Sequence, residues 1–105
     1  MNDPELLLKR MEDLLKAADK PSLSTAEQAG IYAAARFIVA DFEGWWKGQN
    51  GLAYASEKIH DYLWHLGAMV GFDITNGHPN SQHYSWALGS LGTFRGLVKE
   101  RLGKE

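Results

Sequence analysis

The sequence predicts an all-α fold: a four-helix up-and-down bundle, made of residues 1–105 as one domain and paired into a homodimer. Apolar residues recur at spacings of three and four through four long segments, which is the period of an amphipathic helix. The turns between these segments are short, which favours antiparallel neighbours. The hydrophobic fraction is 45% and the charged fraction 23%, so the chain has enough apolar surface for a packed core.

The first helix is expected over residues 4–19. Asp3 is a suitable N-cap, and Pro4 suits the first helical position because the N–H that proline lacks has no partner there. The apolar stripe of this helix consists of Leu7, Met11, Leu14 and Ala18, widened by Leu8 and Leu15. Pro21 ends the helix, since proline cannot continue the hydrogen-bond ladder.

The second helix, expected over residues 24–47, is the longest and most apolar segment. Ser24 and Glu27 have the spacing of a capping box, in which each side chain binds the backbone N–H of the other residue. Its core face consists of Ile31, Ala34, Ala35, Ile38, Phe42 and Trp45. Asp41 lies on the shoulder of that face. A buried carboxylate needs a partner, so Asp41 either hydrogen-bonds to a neighbouring helix or acts as a functional acid.

Two adjacent tryptophans end this second helix. Neighbouring residues on a helix point about 100° apart, so one core does not easily bury both rings. Trp46 is therefore expected to pack against a different helix or against a partner chain.

The third helix is expected over residues 51–70, with Asn50 as its cap. Its core stripe consists of Leu52, Ile59, Leu63, Leu66 and Val70. Tyr54, Tyr62 and Met69 lie on the nominally polar face, together with His65. Such a mixture of aromatic and thioether side chains is typical of a contact patch for another protein, or of the covered face of an obligate dimer.

The fourth helix is expected over residues 81–102, after the irregular segment 72–79 and with Asn80 as its cap. Its stripe consists of Tyr84, Leu88, Leu91, Val98 and Leu102, flanked by Ala87 and Phe94. Three glycines lie within it, and each costs about 1 kcal/mol relative to alanine. Gly89, Gly92 and Gly96 therefore predict a close approach of another helix, with the Gly67 and Gly71 side of the third helix as the expected neighbour.

Trp86 and Leu97 project away from the stripe of the fourth helix. Because tryptophan is enriched at the centres of interfaces, these two residues and Trp46 are predicted to form a self-association surface. The alternative is that a long loop or the first helix covers them.

The four histidines, His60, His65, His78 and His83, do not predict a metal site. Glu57 and His60 have the Glu-x-x-His spacing of di-metal bundles, but those bundles use the motif twice and it occurs once here. No cofactor is expected.

No residue is predicted to be catalytic. The chain has no cysteine, no serine in a strained turn and no glycine loop that could bind phosphate. The polar group of most interest is His60, which Asp41 could reach if the second and third helices are neighbours. It is either a core histidine paired with one carboxylate or, with Asp41, a polar anchor of a ligand pocket between helices two, three and four, walled by Trp45 and Trp64.

Charge and hydropathy exclude two classes of partner. The formal net charge is −2, with 11 basic and 13 acidic residues, and no basic block could neutralise a nucleic-acid backbone. No apolar run approaches the ~20 residues that span a bilayer. The N-terminus is too charged for a signal peptide, so a cytoplasmic location is expected.

These observations favour a non-catalytic protein–protein interaction or adaptor module, of the kind found among accessory proteins of bacteria and phages. It is expected to bind a second copy of itself, another protein, or both. The predicted interface residues are Trp46, Tyr54, Tyr62, Trp86 and Leu97. The alternative is a small-molecule-binding bundle or minor enzyme that uses Asp41 and His60.

Overall fold

The computed structural model describes residues 3–103, which form four α-helices and no strand. The helices are α1 (Pro4–Ala18), α2 (Thr25–Trp46), α3 (Leu52–Met69) and α4 (Asn80–Gly103). The radius of gyration is 13.5 Å, close to the value of about 13 Å that a compact domain of 100 residues has. The predicted all-α class with four helices is confirmed.

Local capping starts the first two helices. The carboxylate of Asp3 accepts from the backbone N–H of Leu6 at 3.0 Å. The Ser24 hydroxyl accepts from the N–H of Glu27 at 3.1 Å, and the Glu27 carboxylate accepts from the N–H of Ser24 at 3.0 Å. The third helix differs, because Gly51 precedes it with a φ of 84° and no side chain caps it. The prediction that Asn50 is that cap is therefore wrong.

Each helix contacts its neighbour in sequence, and α1 also packs on α4 and on α3. The most extensive pairing is that of α3 with α4. Phe42 of α2 meets Phe94 of α4 edge to face, with ring centroids 4.9 Å apart. This aromatic contact fills the centre of the domain between two helices whose backbones lie apart.

Tyr62 of α3 is a core residue. Its side chain is fully buried, and its hydroxyl donates to the backbone carbonyl of Met11 at 2.6 Å. Burial raises the pKa of the Tyr62 phenol well above its ordinary value. The prediction that Tyr62 lies on an outer interface is wrong, because α1 covers that side of α3.

Residues 70–79 form the connecting segment between α3 and α4. The ring of Phe72 stacks on Tyr32 of α2 with centroids 4.9 Å apart, and the Tyr32 hydroxyl donates to Asp73 at 3.4 Å. A Cβ atom at Gly67 would lie 2.6 Å from the Asp73 carboxylate and 2.8 Å from the Tyr32 ring. Gly67 thus makes room for the connecting segment.

The glycines of α4 do not mark a close approach of helices. Apart from the two chain neighbours and the adjoining backbone of α4 itself, no atom lies within 4 Å of the position that a Cβ would take at Gly89, Gly92 or Gly96. The expected packing of these residues against Gly67 and Gly71 is therefore wrong, and this side of α4 faces open space.

Within residues 3–103, no helix combines the length and the apolar character that crossing a bilayer requires.

Candidate functional site

The predicted pair of Asp41 and His60 does not form. Asp41 is exposed, in an open groove on α2 beside Phe37. The carboxylate that meets His60 Nε2, at 3.1 Å, is that of Glu43, which also accepts from the Ser56 hydroxyl at 3.0 Å. Two residues along a helix are separated by about 200° of rotation, so the face of α2 that meets α3 carries Glu43 and turns Asp41 to the outside. Glu43 lies outside the apolar stripe of α2, so the sequence pattern gave no indication of this contact.

The other two residues of the predicted ligand pocket lie apart. Trp45 is half-buried and has the guanidinium of Arg101 4.5 Å above its ring. Trp64 of α3 is exposed, contacts His65, and donates through Nε1 to the carbonyl of Ile74 at 3.3 Å. The four residues therefore line no common pocket, and the ligand-binding alternative has no pair of polar anchors.

Three of the predicted interface residues lie around one cleft. Trp46, Tyr54 and Leu97 line a volume of about 580 Å³ between the end of α2, the start of α3 and α4. Trp46 is only 5% exposed; its ring lies 6.0 Å from that of Phe94, and its indole N–H donates to the carbonyl of Asn50 at 3.2 Å. Of the two expectations for Trp46, packing against a different helix is the one observed.

Trp86 belongs to a cluster of histidines near the start of α4. Its ring lies 5.2 Å from His65, 4.9 Å from His78 and 5.7 Å from His83. It is 39% exposed, although the ring of His78 in the connecting segment contacts it. Residues 3–103 contain no group of three potential ligands that could hold a metal ion.

The most exposed large apolar side chain on α2 is not one of the predicted interface residues. Phe37 is 82% exposed. The residues that share its side of the helix are small and exposed. We call the following residues the α2 face: Gly30, Ala33, Phe37, Ala40 and Gly44.

Both edges of the α2 face are open. On one edge, Leu7 and Leu14 of α1 line an apolar groove of about 440 Å³ with Ala34 and Ile38. On the other edge, Arg36 and Asp41 flank Phe37 in a second groove. The signal that could have identified this surface is that α2 is apolar on every side, whereas a helix with one covered face has a single stripe.

Comparison with protein-family models, with curated proteins and with solved structures finds no match for this chain. Fold and site together define its class as a small all-helical domain with one uncovered apolar helix face.

Proposed function

We propose that this protein is a non-catalytic interaction module, an up-and-down bundle that self-associates by packing its α2 face against the α2 face of a second copy. The observation that carries the proposal is Phe37. Fully burying a phenylalanine side chain contributes about 1.5–3 kcal/mol, and this ring is 82% exposed in the single chain. Apolar surface of this kind, rimmed by charged residues, marks protein contact sites.

Shape complementarity favours a second copy as the occupant. In an antiparallel pair of α2 helices with a two-fold axis midway between residues 38 and 39, every contact forms twice. Arg36 and Asp41 are exposed and lie on the two opposite flanks of this contact, so neither charge is buried by it.

The same register matches large side chains with small ones. Phe37 lies opposite Ala40 of the second copy, and Ala33 lies opposite Gly44. Exposed glycine and alanine let the two backbones approach, so that each phenylalanine ring is covered by the facing helix. In this register residues 31–46 of the two α2 helices overlap, which gives a contact about 24 Å long.

Contacts along the chain support the up-and-down topology. Residues 54 and 97 line one cleft, whereas His65 meets His83. The start of α3 is thus paired with the end of α4, and its end with the start of α4. Glu43, near the end of α2, meets Ser56 and His60 near the start of α3.

The test is the mass in solution of Phe37→Glu, measured by size-exclusion chromatography with light scattering. The wild-type chain is expected at twice its 11.7 kDa, and Phe37→Glu at the single-chain mass with unchanged helicity. Leu88→Glu is the matched control, because Leu88 is also an exposed apolar residue but lies on α4. A wild type that is monomeric at all concentrations contradicts the proposal.

The register is tested by exchanging a large and a small side chain. Ala40→Phe should weaken self-association, because its ring then meets Phe37 of the second copy. The double variant Phe37→Ala with Ala40→Phe should restore it. If the double variant associates no better than Ala40→Phe alone, residues 37 and 40 do not face each other in the dimer.

A further inference from the structure

Two histidines form a buried hydrogen-bonded pair where α3 meets α4. Nδ1 of His65 lies 2.9 Å from Nδ1 of His83, and the side chains are 8% and 0% exposed. His83 Nε2 lies 2.8 Å from the backbone carbonyl oxygen of Thr75. His83 therefore ties the connecting segment to the two helices.

These partners assign the proton positions of both rings. A carbonyl oxygen only accepts, so His83 Nε2 carries a hydrogen. A neutral imidazole has one N–H, so Nδ1 of His83 is an acceptor. The donor to it is then Nδ1–H of His65.

The intact pair has room for one additional proton. The remaining ring nitrogen, Nε2 of His65, has no hydrogen-bond partner among residues 3–103, so an incoming proton binds there and leaves both hydrogen bonds in place. A second proton would have to bind Nδ1 of His83. Two N–H groups cannot point at each other across 2.9 Å, so the doubly protonated pair must separate.

Separation affects the part of the connecting segment around Thr75. The carbonyl of Thr75 accepts from His83, and the carbonyl of the preceding residue, Ile74, accepts from the indole N–H of Trp64. The ring of His65 lies between two indoles, with centroids 4.4 Å from Trp64 and 5.2 Å from Trp86. A protonated His83 still donates to Thr75, so separation of the pair moves His83 and Thr75 away from His65 and Trp64 and loosens the segment from α3.

The surroundings of the pair shift the pKa of His65 in both directions. Burial lowers the pKa of His65, and the neighbouring His83 lowers it further, while the carboxylate of Asp61 one turn earlier on α3 raises it. The connecting segment contributes Asp73 and His78, and the first turn of α4 contains no acidic residue. The net effect is that the pKa of His65 lies below the ordinary histidine value of about 6.5. His65 is therefore neutral near pH 7 and becomes protonated only at lower pH.

We propose that His65 and His83 form a proton-operated latch, which holds the connecting segment closed as a neutral or singly protonated pair and releases it, with Trp64 and Trp86, when both rings are protonated. The latch lies on α3 and α4, so its failure leaves the proposed self-association through α2 untouched. The latch makes the exposure of two tryptophans depend on acidity.

The latch also has a defined effect on stability. Because the pKa of His65 is lower in the folded chain than in the unfolded chain, the unfolded chain binds more protons as the pH decreases. The contribution to stability is therefore complete above about pH 6.5 and is lost as the pH falls from there through the folded pKa.

The experiment measures tryptophan fluorescence and the hydrogen exchange of residues 71–79 between about pH 8 and about pH 5. In the wild type, the emission should weaken with a midpoint below about pH 6.5, because a protonated imidazole quenches indole. The shift to the red and the loss of exchange protection should follow at lower pH, because release needs the second proton. A wild type whose segment stays protected while the imidazoles titrate overturns the proposal.

Three variants separate the latch from general acid sensitivity. His65→Gln should lose the transition, since a glutamine amide can donate to neutral His83 or accept from its protonated form. His78→Gln is the matched control, because His78 contacts Trp86 but lies outside the pair. This variant should keep the transition. Asp61→Asn should move the midpoint to lower pH, because it removes a charge that favours the imidazolium ion. An identical transition in wild type and His65→Gln contradicts the latch.

A measurement on the wild type alone is decisive if His65→Gln does not fold. Nitrogen-15 NMR of the imidazoles at high pH should show His83 as the Nε2–H tautomer and His65 as the Nδ1–H tautomer. A His65 found as the Nε2–H tautomer overturns the assignment and the latch with it.

Discussion

The hydrogen bond of the Tyr62 hydroxyl shows that this side of α3 is buried. Its hydrogen bond to the carbonyl of Met11 joins residues 51 positions apart. Tyr62→Phe should lower the free energy of unfolding by about 0.5–1.5 kcal/mol, the net value of a typical buried hydrogen bond. Urea denaturation followed by circular dichroism measures it.

The matched control for this prediction is Tyr54→Phe, which removes a hydroxyl from an exposed tyrosine on the same helix. Its effect should stay within about 0.5 kcal/mol. Equal effects of the two variants would mean that the contact with Met11 contributes nothing net.

Residue-level prediction succeeded where a partner is close in sequence. Asp3, Ser24 and Glu27 form the caps that were expected of them, because a cap needs only a backbone N–H two or three residues away. It did not succeed for Asp41 and His60, whose pairing depended on how two helices rotate against each other.

At the scale of a helix, the glycines of α3 and α4 have opposite surroundings. Gly67→Ala should lower stability by about 1–3 kcal/mol, because the new methyl group overlaps Asp73 and Tyr32 and displaces the connecting segment. Gly92→Ala should raise it by about 1 kcal/mol, because that position is helical and open. The sign of each change in thermal denaturation is the measurement, and two changes of the same sign would contradict this packing.

Helix α2 shows what a local pattern leaves open. Its apolar residues were correctly taken as a helix, and Phe42 is buried as expected. The predicted core face also contained Ala35 and Ile38, which are buried, but the pattern did not specify whether a neighbour would also cover Phe37. The neighbours cover the side of Ala35, Ile38 and Phe42 and leave Phe37 outside.

At the scale of the whole molecule, self-association should be visible as coupling between folding and concentration. If two copies bury their α2 faces on each other, mass action stabilises the folded state, and the melting temperature should rise by a few degrees for each tenfold increase in protein concentration. Differential scanning calorimetry across a dilution series measures this.

Phe37→Glu should melt at one temperature at every concentration, while Leu88→Glu should keep the wild-type dependence. A wild-type melting temperature that does not change on dilution would mean that the α2 face contacts only solvent.

The sequence by itself determined the four helices, their approximate ends and two of their caps, because these depend on hydrogen bonds and side-chain spacings within about four residues. It also indicated much of each core stripe, since Met11, Phe42, Ile59 and Leu91 are buried as expected. Only the tertiary structure decided which residues outside those stripes are covered and where residues 70–79 run. It thereby placed Tyr62 and Trp46 inside, left Phe37 outside, and brought His65 to His83. The physical reason is that the burial of a helix face is decided by contacts between elements that lie far apart in the chain, and several rotations of one helix bury similar apolar area.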